Sequence, residues 1–552
     1  LSYINLYSQF NIHGKVYDKI SLSPIELYIV SIDGKVIGTI TNKNGLFEIN
    51  IKNGNNICFS APGYNDTCII IDNKNIDSIN IYLSQRNINI SEVKVYSNKR
   101  TDKLQSVQSG LVNIRTEGIR ALPSLTGETD AFKILQLSPG VSKSDFSMGL
   151  NIRGSNSDQN MVLLDNGLIY NPTHLTGFLS VFNPLMIDRI TLIKSGVPVE
   201  YGGRLSSVTI VETDKNLADK TTIEGNVGLI LTSMAIKSPL SKSITVSLAG
   251  RISYIDYTLK PVSKILFKSN RSMFNTSLYG FYDLNATCIA KINNNNSIYF
   301  STFNGKDNFY MQRSPLNFNY TIKWDNQMLS AQWNHFFNEK HTSKTTAYYT
   351  KSNLDLYFGQ KDFYYILNSQ NTDYSIQQEH NLFLSNTNQF KIGANIIVQR
   401  IIPNRSEAKI NELQADFGTL NIFHTITLST YLSDEFTILK KALVNIGIRA
   451  SKYYHVGPYT AFIRDNTNAI IDTNKYNTNE VVKTYDQLEP RIALNYKYDS
   501  TASIKFSVGR YVQYLQQVNV STVALPTDFW MPASTLLSPL IGYQISAGYI
   551  KN

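Results

Sequence analysis

At 552 residues the chain is too long for one ordinary core, so several domains or one very large barrel are required. Its formal net charge of +10 comes from scattered basic residues that never run longer than pairs such as Lys99-Arg100, which argues against a nucleic-acid stripe. Charged residues make up only 17%, below the roughly 25% of soluble domains, and 34 Tyr and 26 Phe against 3 Trp favour strands and turns.

No run approaches 18 consecutive apolar residues, so no transmembrane helix is expected. The opening LSYINLYSQF lacks the charged and apolar regions of a signal peptide, which leaves a cytoplasmic chain or a mature form. Three cysteines exclude a disulfide scaffold.

Residues 10–84 predict a small all-β unit. Short runs such as FNIHGKVYD, GLFEINI, NICFSA and SINIYL are separated by Asp33-Gly34, Asn44-Gly45, Asn53-Gly54 and Pro62-Gly63, a spacing that predicts a sandwich of about seven strands. Cys58 and Cys68 fall on neighbouring strands and are open to two readings, a pair or two buried thiols. Gly14-Lys15-Val16, Thr41-Asn42-Lys43-Asn44-Gly45-Leu46-Phe47 and Gly63-Tyr64 give this unit a resemblance to the carboxypeptidase regulatory-like domain. That resemblance implies an immunoglobulin-like β-sandwich without catalytic residues of its own.

Residues 85–120 are polar and weakly periodic, as a linker would be. Within them Ile90, Ser91, Glu92, Val93, Lys94 and Val95 alternate. They read either as a last strand or tether of the first domain, or as a strand that adds to the edge of another sheet.

Residues 121–215 predict an α+β domain. A helix from Glu128 to Leu137 would be capped by Thr126, with Glu128 and Asp130 in its first turn and Ser138-Pro139-Gly140 stopping it. The stretch LNIRGSNSDQNMVLLDNGLIYN follows, and its Asn166-Gly167 between apolar runs predicts a type I′ hairpin. A tight turn at Tyr201-Gly202-Gly203-Arg204 precedes the strand Val208-Thr209-Ile210-Val211.

From 221 to 552 long alternating segments recur. Ile244, Val246, Leu248 and Ile252 alternate with Thr245, Ser247 and Arg251; Phe318, Tyr320, Ile322 and Trp324 alternate with Asn319, Thr321, Lys323 and Asp325; Ile492, Leu494 and Tyr496 alternate with Asn495 and Lys497. A soluble sandwich or propeller would bury the apolar face, whereas a transmembrane antiparallel β-barrel would turn it to lipid and the polar face to a wet lumen. Segments at or above the roughly 9–11 residues needed to cross, aromatic ends and the lack of a blade period favour the barrel.

The 121–215 region resembles the plug of TonB-dependent outer-membrane transporters of the Bacteroidetes type. The matching pieces come in order: Leu122-Pro123-Ser124-Leu125-Thr126-Gly127-Glu128, Leu137-Ser138-Pro139-Gly140-Val141, Ile152-Arg153-Gly154, Leu163-Leu164-Asp165-Asn166-Gly167, Val181-Phe182-Asn183-Pro184, Lys194-Ser195-Gly196 and Tyr201-Gly202-Gly203-Arg204. Weaker echoes continue at Arg251, Tyr282-Asp283-Leu284-Asn285 and Glu489-Pro490-Arg491. The resemblance implies energy-coupled import of an unidentified ligand (glycan, peptide, siderophore or similar), the alternative being a ligand-binding receptor or adhesin without transport. It places residues 90–95 as a TonB box meeting the periplasmic C-terminal domain of TonB, and puts the chain in the Gram-negative outer membrane with its N-terminal domain periplasmic. Outer-membrane lipids and a surface substrate-binding lipoprotein are the other partners implied.

Plug–barrel anchoring is expected at Glu128, Arg153, Gly154, Asp165, Gly167, Gly202, Gly203 and Arg204. Arginines shut inside a barrel are costly unless wall carboxylates hold them, so Arg153 and Arg204 should have such partners unless they are surface residues at turns. Barrels of this family have about 22 strands, while residues 221–552 leave room for roughly 14, so the C-terminal barrel strands are expected to be missing. No nucleophile elbow, P-loop, metalloprotease motif or paired-Cys spacing occurs, so no catalysis, metal or cofactor is expected. His174 reads as a packing or hydrogen-bonding residue, and Glu379, His380 and His424 as lumen-facing polar positions. The aromatic groups Phe309-Tyr310, Tyr348-Tyr349 and Phe363-Tyr364-Tyr365 read as girdle or loop packing, or as ligand-stacking surfaces.

Overall fold

The computed structural model describes residues 9–551 apart from 20–21, 26–27, 33–38, 40, 53–55, 61–63, 66, 72–77, 85–103, 105, 116–127, 129, 143–148, 175–176, 259–260, 262–276, 314–317, 361, 412, 416–421, 440, 468, 500 and 519–527. Two compact units result, Leu1–Tyr96 and Ser97–Asn552.

Among the described residues of the first unit there are two three-stranded sheets. Gln9–Asp18 lies between Leu46–Lys52, antiparallel, and Ser78–Leu83, parallel. Asn56–Ser60 lies between Tyr28–Ile32 and Thr67–Ile70. Alternate residues such as Ile12, Val16, Phe47, Ile49, Ile57, Phe59, Ile81 and Leu83 form the core, as the two-residue period of a strand demands. Cys58 and Cys68 face each other across their strands and are joined by a disulfide, with Cys68 exposed.

The second unit begins with a five-stranded sheet in the order Gly167–Leu168, Met161–Leu164, Val208–Thr213, Ile187–Ile193, Leu111–Arg115. Leu111–Arg115 lies in the stretch expected to be linker, yet it pairs along its whole length with Ile187–Ile193. Its alternation is too short to stand out, and the neighbouring strand supplies the reason it is ordered. The helix is also shorter than expected. It spans Ala131–Gln136, and its cap is Asp130, whose Oδ1 accepts from the backbone N–H groups of Phe132 at 2.9 Å and Lys133 at 3.0 Å. Thr126, the expected cap, lies outside the described residues. Phe132, Ile134, Leu135, Ile152, Leu164, Ile190, Leu192 and Val211 pack together as the core of this small domain.

Around it runs a fifteen-stranded antiparallel sheet, fourteen strands of it in chain order from Thr222–Val227 to Leu540–Lys551, with Leu413–Ala415 paired to Asn388–Ile410 off that path. It is open between those two strands among the described residues. Short turns near 242, 294, 340, 387 and 440 gather at one end, and the longer connections 254–276 and 457–480 at the other; short turns mark the periplasmic end of such sheets. Near the turns, outward positions such as Leu248, Leu329, Ile376, Ile396, Leu428 and Ile492 are large, apolar and exposed, while inward ones such as Thr245, Ser330, Thr427 and Asn495 are polar. An apolar band of that extent belongs against lipid.

One expected alternation is reversed. Phe318, Tyr320, Ile322 and Trp324 point inward, with Trp324 only 1% exposed, and Ile322 and Trp324 pack against Leu179 of the small domain. Height explains it: strands such as Phe318–Asn338 and Phe363–Ser385, 21 and 23 residues long, exceed the roughly 9–11 needed to cross. Their upper parts stand in water, so Lys306, Lys323 and Asp355 face out and the apolar side closes inward. Glu379 faces the lumen as expected, but His380 and His424 occupy the outward phase of their strands. Replacing Leu428 by Arg on the lipid face should cost about 2–4 kcal/mol. A fall in the heat-induced unfolding temperature of the detergent-solubilised protein would show it, and an unchanged temperature would contradict the assignment of that face.

Candidate functional site

The small domain sits inside the sheet, and among the described residues three buried clusters stand out where its polar residues meet the wall. In the first, the hairpin centres on Asp165 and Asn166, whose φ values of 46° and 69° are those a type I′ turn requires. The turn is therefore one residue earlier than the Asn-Gly signal suggests. Gly167 pairs with Leu164 as the first residue of the returning strand. It is small for a different reason: a Cβ there would lie 2.5 Å from Met328 of the wall. Asp165 is fully buried. One carboxylate oxygen accepts from the Thr213 N–H at 3.0 Å, the other from Thr213 Oγ1 (2.9 Å), Tyr299 OH (2.9 Å) and Ser301 Oγ (2.8 Å). Its backbone carbonyl accepts from Ser330 Oγ at 2.7 Å. Two of those side-chain donors to the carboxylate, Tyr299 and Ser301, belong to the wall.

The second cluster surrounds His174. Its Nδ1 lies 2.7 Å from Asp307 Oδ2, and its Nε2 lies 2.9 and 3.0 Å from the two Asp283 oxygens. Phe281 stacks on the ring at 4.1 Å between centroids. Asp283 also accepts from Arg251, whose Nη2 reaches it at 2.6 Å and donates to the Ser180 carbonyl at 2.7 Å. Glu128 closes the group 3.8 Å from Arg251. With a carboxylate at each nitrogen, His174 is doubly protonated: burial lowers its pKa, but Asp283 and Asp307 outweigh that and raise it to about 9. Burial raises the Glu128 pKa, with Arg251 opposing.

The third cluster reverses the expected polarity of the arginine contacts. Arg491, from the wall, donates to the carbonyls of Pro198 at 2.6 Å, Tyr201 at 2.7 Å and Val197 at 3.2 Å. Arg449 donates to the Val199 carbonyl at 3.3 Å and to Asn395 at 2.9 Å. Glu489 lies beside both, 2.8 Å from Arg491 and 3.8 Å from Arg449. Gly202 is needed where Arg449 passes, since a Cβ would meet its Nε at 2.3 Å. Lys391 pairs with Glu200 at 2.7 Å. Between this loop and the wall is a cavity of about 120 Å³ lined by Arg204, Thr346, Asp373, Gln399 and Ser429 among others. Nearby, Tyr170 donates to Asp373 at 2.7 Å.

Arg153 and Arg204 make no ion pair with a wall carboxylate among the described residues. Arg153 is exposed and donates to Ser546 Oγ at 3.1 Å. Arg204 donates to the neighbouring Gly203 carbonyl and lies 4.8 Å over the Trp530 ring. Gly154 and Gly203 both have positive φ, 79° and 84°, and nothing lies within 4 Å of a Cβ built on either. Residues 90–95 fall outside the described residues. Lys505 and Asn495, not singled out in the sequence, donate to the carbonyls of Ser106, Gln108 and Leu104 just ahead of the first strand of the plug sheet. Inward phase on an alternating strand is the signal that finds them, along with Asp283, Asp307, Lys391, Arg449 and Arg491.

Fold and contacts together define a class: a membrane sheet of long antiparallel strands holding a small α+β plug by buried polar contacts. The plug is that of TonB-dependent receptors, for residues 114–208 match the TonB-dependent receptor plug domain, and residues 12–95 match the CarboxypepD_reg-like domain. The ferric citrate transporter FecA in its unliganded form is similar at 13% identity with a TM-score of 0.57, over 82% of this chain and 68% of that one. A mutant ferric enterobactin receptor of Pseudomonas aeruginosa gives 13% identity and 0.57 over 82% and 70%. The alcaligin receptor FauA of Bordetella pertussis gives 13% and 0.54 over 81% and 68%. No curated protein sequence matches. The chain thus has the domain make-up and fold of TonB-dependent outer-membrane receptors.

The folded pKa of His174, about 9, exceeds its ordinary 6.5, so its contribution is full below pH 6.5 and disappears as pH rises through 9. That contribution is roughly 3 kcal/mol. Unfolding followed from pH 6 to 10 should show this loss, and His174→Gln should flatten it; a wild-type profile without the loss would contradict a protonated His174. Asp165→Ala should leave Tyr299 and Ser301 without their acceptor, at about 1–3 kcal/mol each. Faster protease cleavage of the plug in the intact protein is the expected readout.

Proposed function

We propose that this chain imports a ligand across the outer membrane, driven by TonB acting at Ile90, Ser91, Glu92, Val93, Lys94 and Val95. The observation that carries this reading is the seated plug. A wall that serves only as an anchor needs no lumen to close, whereas here Asp165, His174 and the 197–201 loop fill one and are gripped from the wall. The hydrogen bonds and ion pairs of this seat can be exchanged for water when the plug is displaced, while apolar contacts around Leu179, Phe303 and Met328 complete it.

Glu128, Asp165 and the glycines Gly167 and Gly202 serve as seating residues of the plug in this reading, while Arg153, Gly154, Gly203 and Arg204 shape turns at its surface. Segment 90–95 adds as a strand to the periplasmic C-terminal domain of TonB, and the pull reaches the plug through residues 104–110 and the edge strand Leu111–Arg115. By their names, two of the structural neighbours are a ferric citrate transporter and a ferric enterobactin receptor; a surface lipoprotein that delivers the ligand fits the same architecture. The chain performs no covalent chemistry in this scheme.

Deleting residues 90–95 should abolish capture of the TonB C-terminal domain by the full-length protein and stop uptake, while surface ligand binding persists. Uptake that survives the deletion would defeat coupled import and favour a receptor or adhesin without transport.

A further inference from the structure

The hairpin within the long extracellular connection 457–480 is held to the wall by side chains. Tyr459–Arg464 pairs with Ile470–Tyr476 and, among the described residues, with no strand of the main sheet. Tyr459 belongs to the apolar cluster of Ile401, Phe423 and Trp530, and Ala461 and Tyr476 pack against it. At the foot of the hairpin stands His455, near the end of the strand Ala442–Val456, fully buried and inward-facing. Phe423 stacks on its ring with centroids 5.2 Å apart, Tyr459 meets it edge-on at 4.5 Å, and those two rings lie 5.4 Å from each other. Neither nitrogen of the imidazole has a hydrogen-bond partner. A neutral imidazole carries one donor and one acceptor, so both are left unmet inside an apolar cage. Phenylalanine would fill the same space without that cost, which makes packing a poor reason for a histidine here.

This level stands in water above the lipid, for Lys452 and Asp486 pair at 3.3 Å on the outer face just before it. Among the described residues no carboxylate lies within ion-pair reach of His455. Its partners across the neighbouring strands are Thr425 and Lys483. His424 takes the opposite face of its strand, with Arg400 across from it. From the hairpin come Tyr459 and Tyr476, and at its base the Glu480 carboxylate accepts from the Asn477 N–H at 2.7 Å. Lys483 and Arg400 are both positive, which disfavours a further positive charge. Burial lowers the imidazole pKa to about 4, and His424 adds to the effect. A protonated ring would carry two donors and a full charge, and could regain water only if Tyr459 moved away.

We propose that the hairpin 459–476 is an acid-released flap and that His455 is its trigger. Neutral, the ring holds Tyr459 against Phe423; protonated, it drives the hairpin off the wall. Neither TonB nor import enters this proposal. Above pH 6.5 the ring is neutral whether the flap is open or closed, so closure has its full stability. Below 6.5 the open form takes up the proton first, and closure weakens about tenfold per pH unit until the closed form titrates as well.

Amide hydrogen exchange of the full-length protein in lipid nanodiscs, read by mass spectrometry and corrected for intrinsic rates, measures this opening. From pH 7.5 to 5 the protection of 459–464 and 470–476 should fall about 30-fold and reversibly, while strand Asn388–Ile410 keeps its protection. His455→Phe and His455→Leu, which fill the cage without a titrating nitrogen, should keep the flap closed at both pH values. His424→Phe should leave the response intact. Equal unfolding temperatures at pH 7.5 check that the variants are folded. A wild-type hairpin whose protection does not change with pH overturns the proposal whatever the variants do. So does a fall in protection that persists without the His455 imidazole, or one that vanishes in His424→Phe.

Discussion

A charged group shut between plug and wall has no water to turn to, and the larger unit is arranged around that constraint. Part of its answer is to put the partners of deeply buried charges on the opposite surface. Asp165 is met by Tyr299 and Ser301, His174 by Asp283 and Asp307, Glu200 by Lys391. Removing one member of such a set is far more damaging than replacing the whole set, because an unmatched charge remains. Polar matching also fixes register: an imidazolium between two carboxylates fits in one place, while an apolar seam would tolerate sliding.

The division of labour between sheet and plug follows from strand length. Strands just long enough to cross a membrane would place their polar face wholly within it. Here they continue into water, and the same alternation that presents apolar side chains to lipid below presents them to the lumen above. Plug seat and vestibule are thus made by one set of strands, with hydrogen bonds below and rings above.

Much of this was legible in the sequence. The alternation from 221 onward, the hairpin near 166 and the ordered plug motifs gave the architecture, because period-2 patterning and turn chemistry are local. What the sequence concealed was pairing. Arg153 and Arg204 stand out as arginines beside glycines, yet the grip comes from Arg449, which looks like an ordinary residue of a long strand, and from Arg491, which shows only as part of the weak echo Glu489-Pro490-Arg491. Nothing local distinguishes an inward arginine that meets a carbonyl from one that meets water. The reversal at Phe318, Tyr320, Ile322 and Trp324 was hidden for a related reason, since alternation gives the two faces of a strand but not its height. Gly167 suggests a turn residue but is small to admit Met328, 161 positions further along the chain, and the positive φ falls on Asp165 and Asn166.

The hold of Arg491 on Val197, Pro198 and Tyr201 has a further consequence. All three acceptors are main-chain carbonyls, which every amino acid carries. The latch therefore reads the path of the loop and not the identity of its side chains. A change of side chain at these three positions leaves the acceptors of the latch in place, whereas a single inserted or deleted residue, which shifts the carbonyls, would spring it.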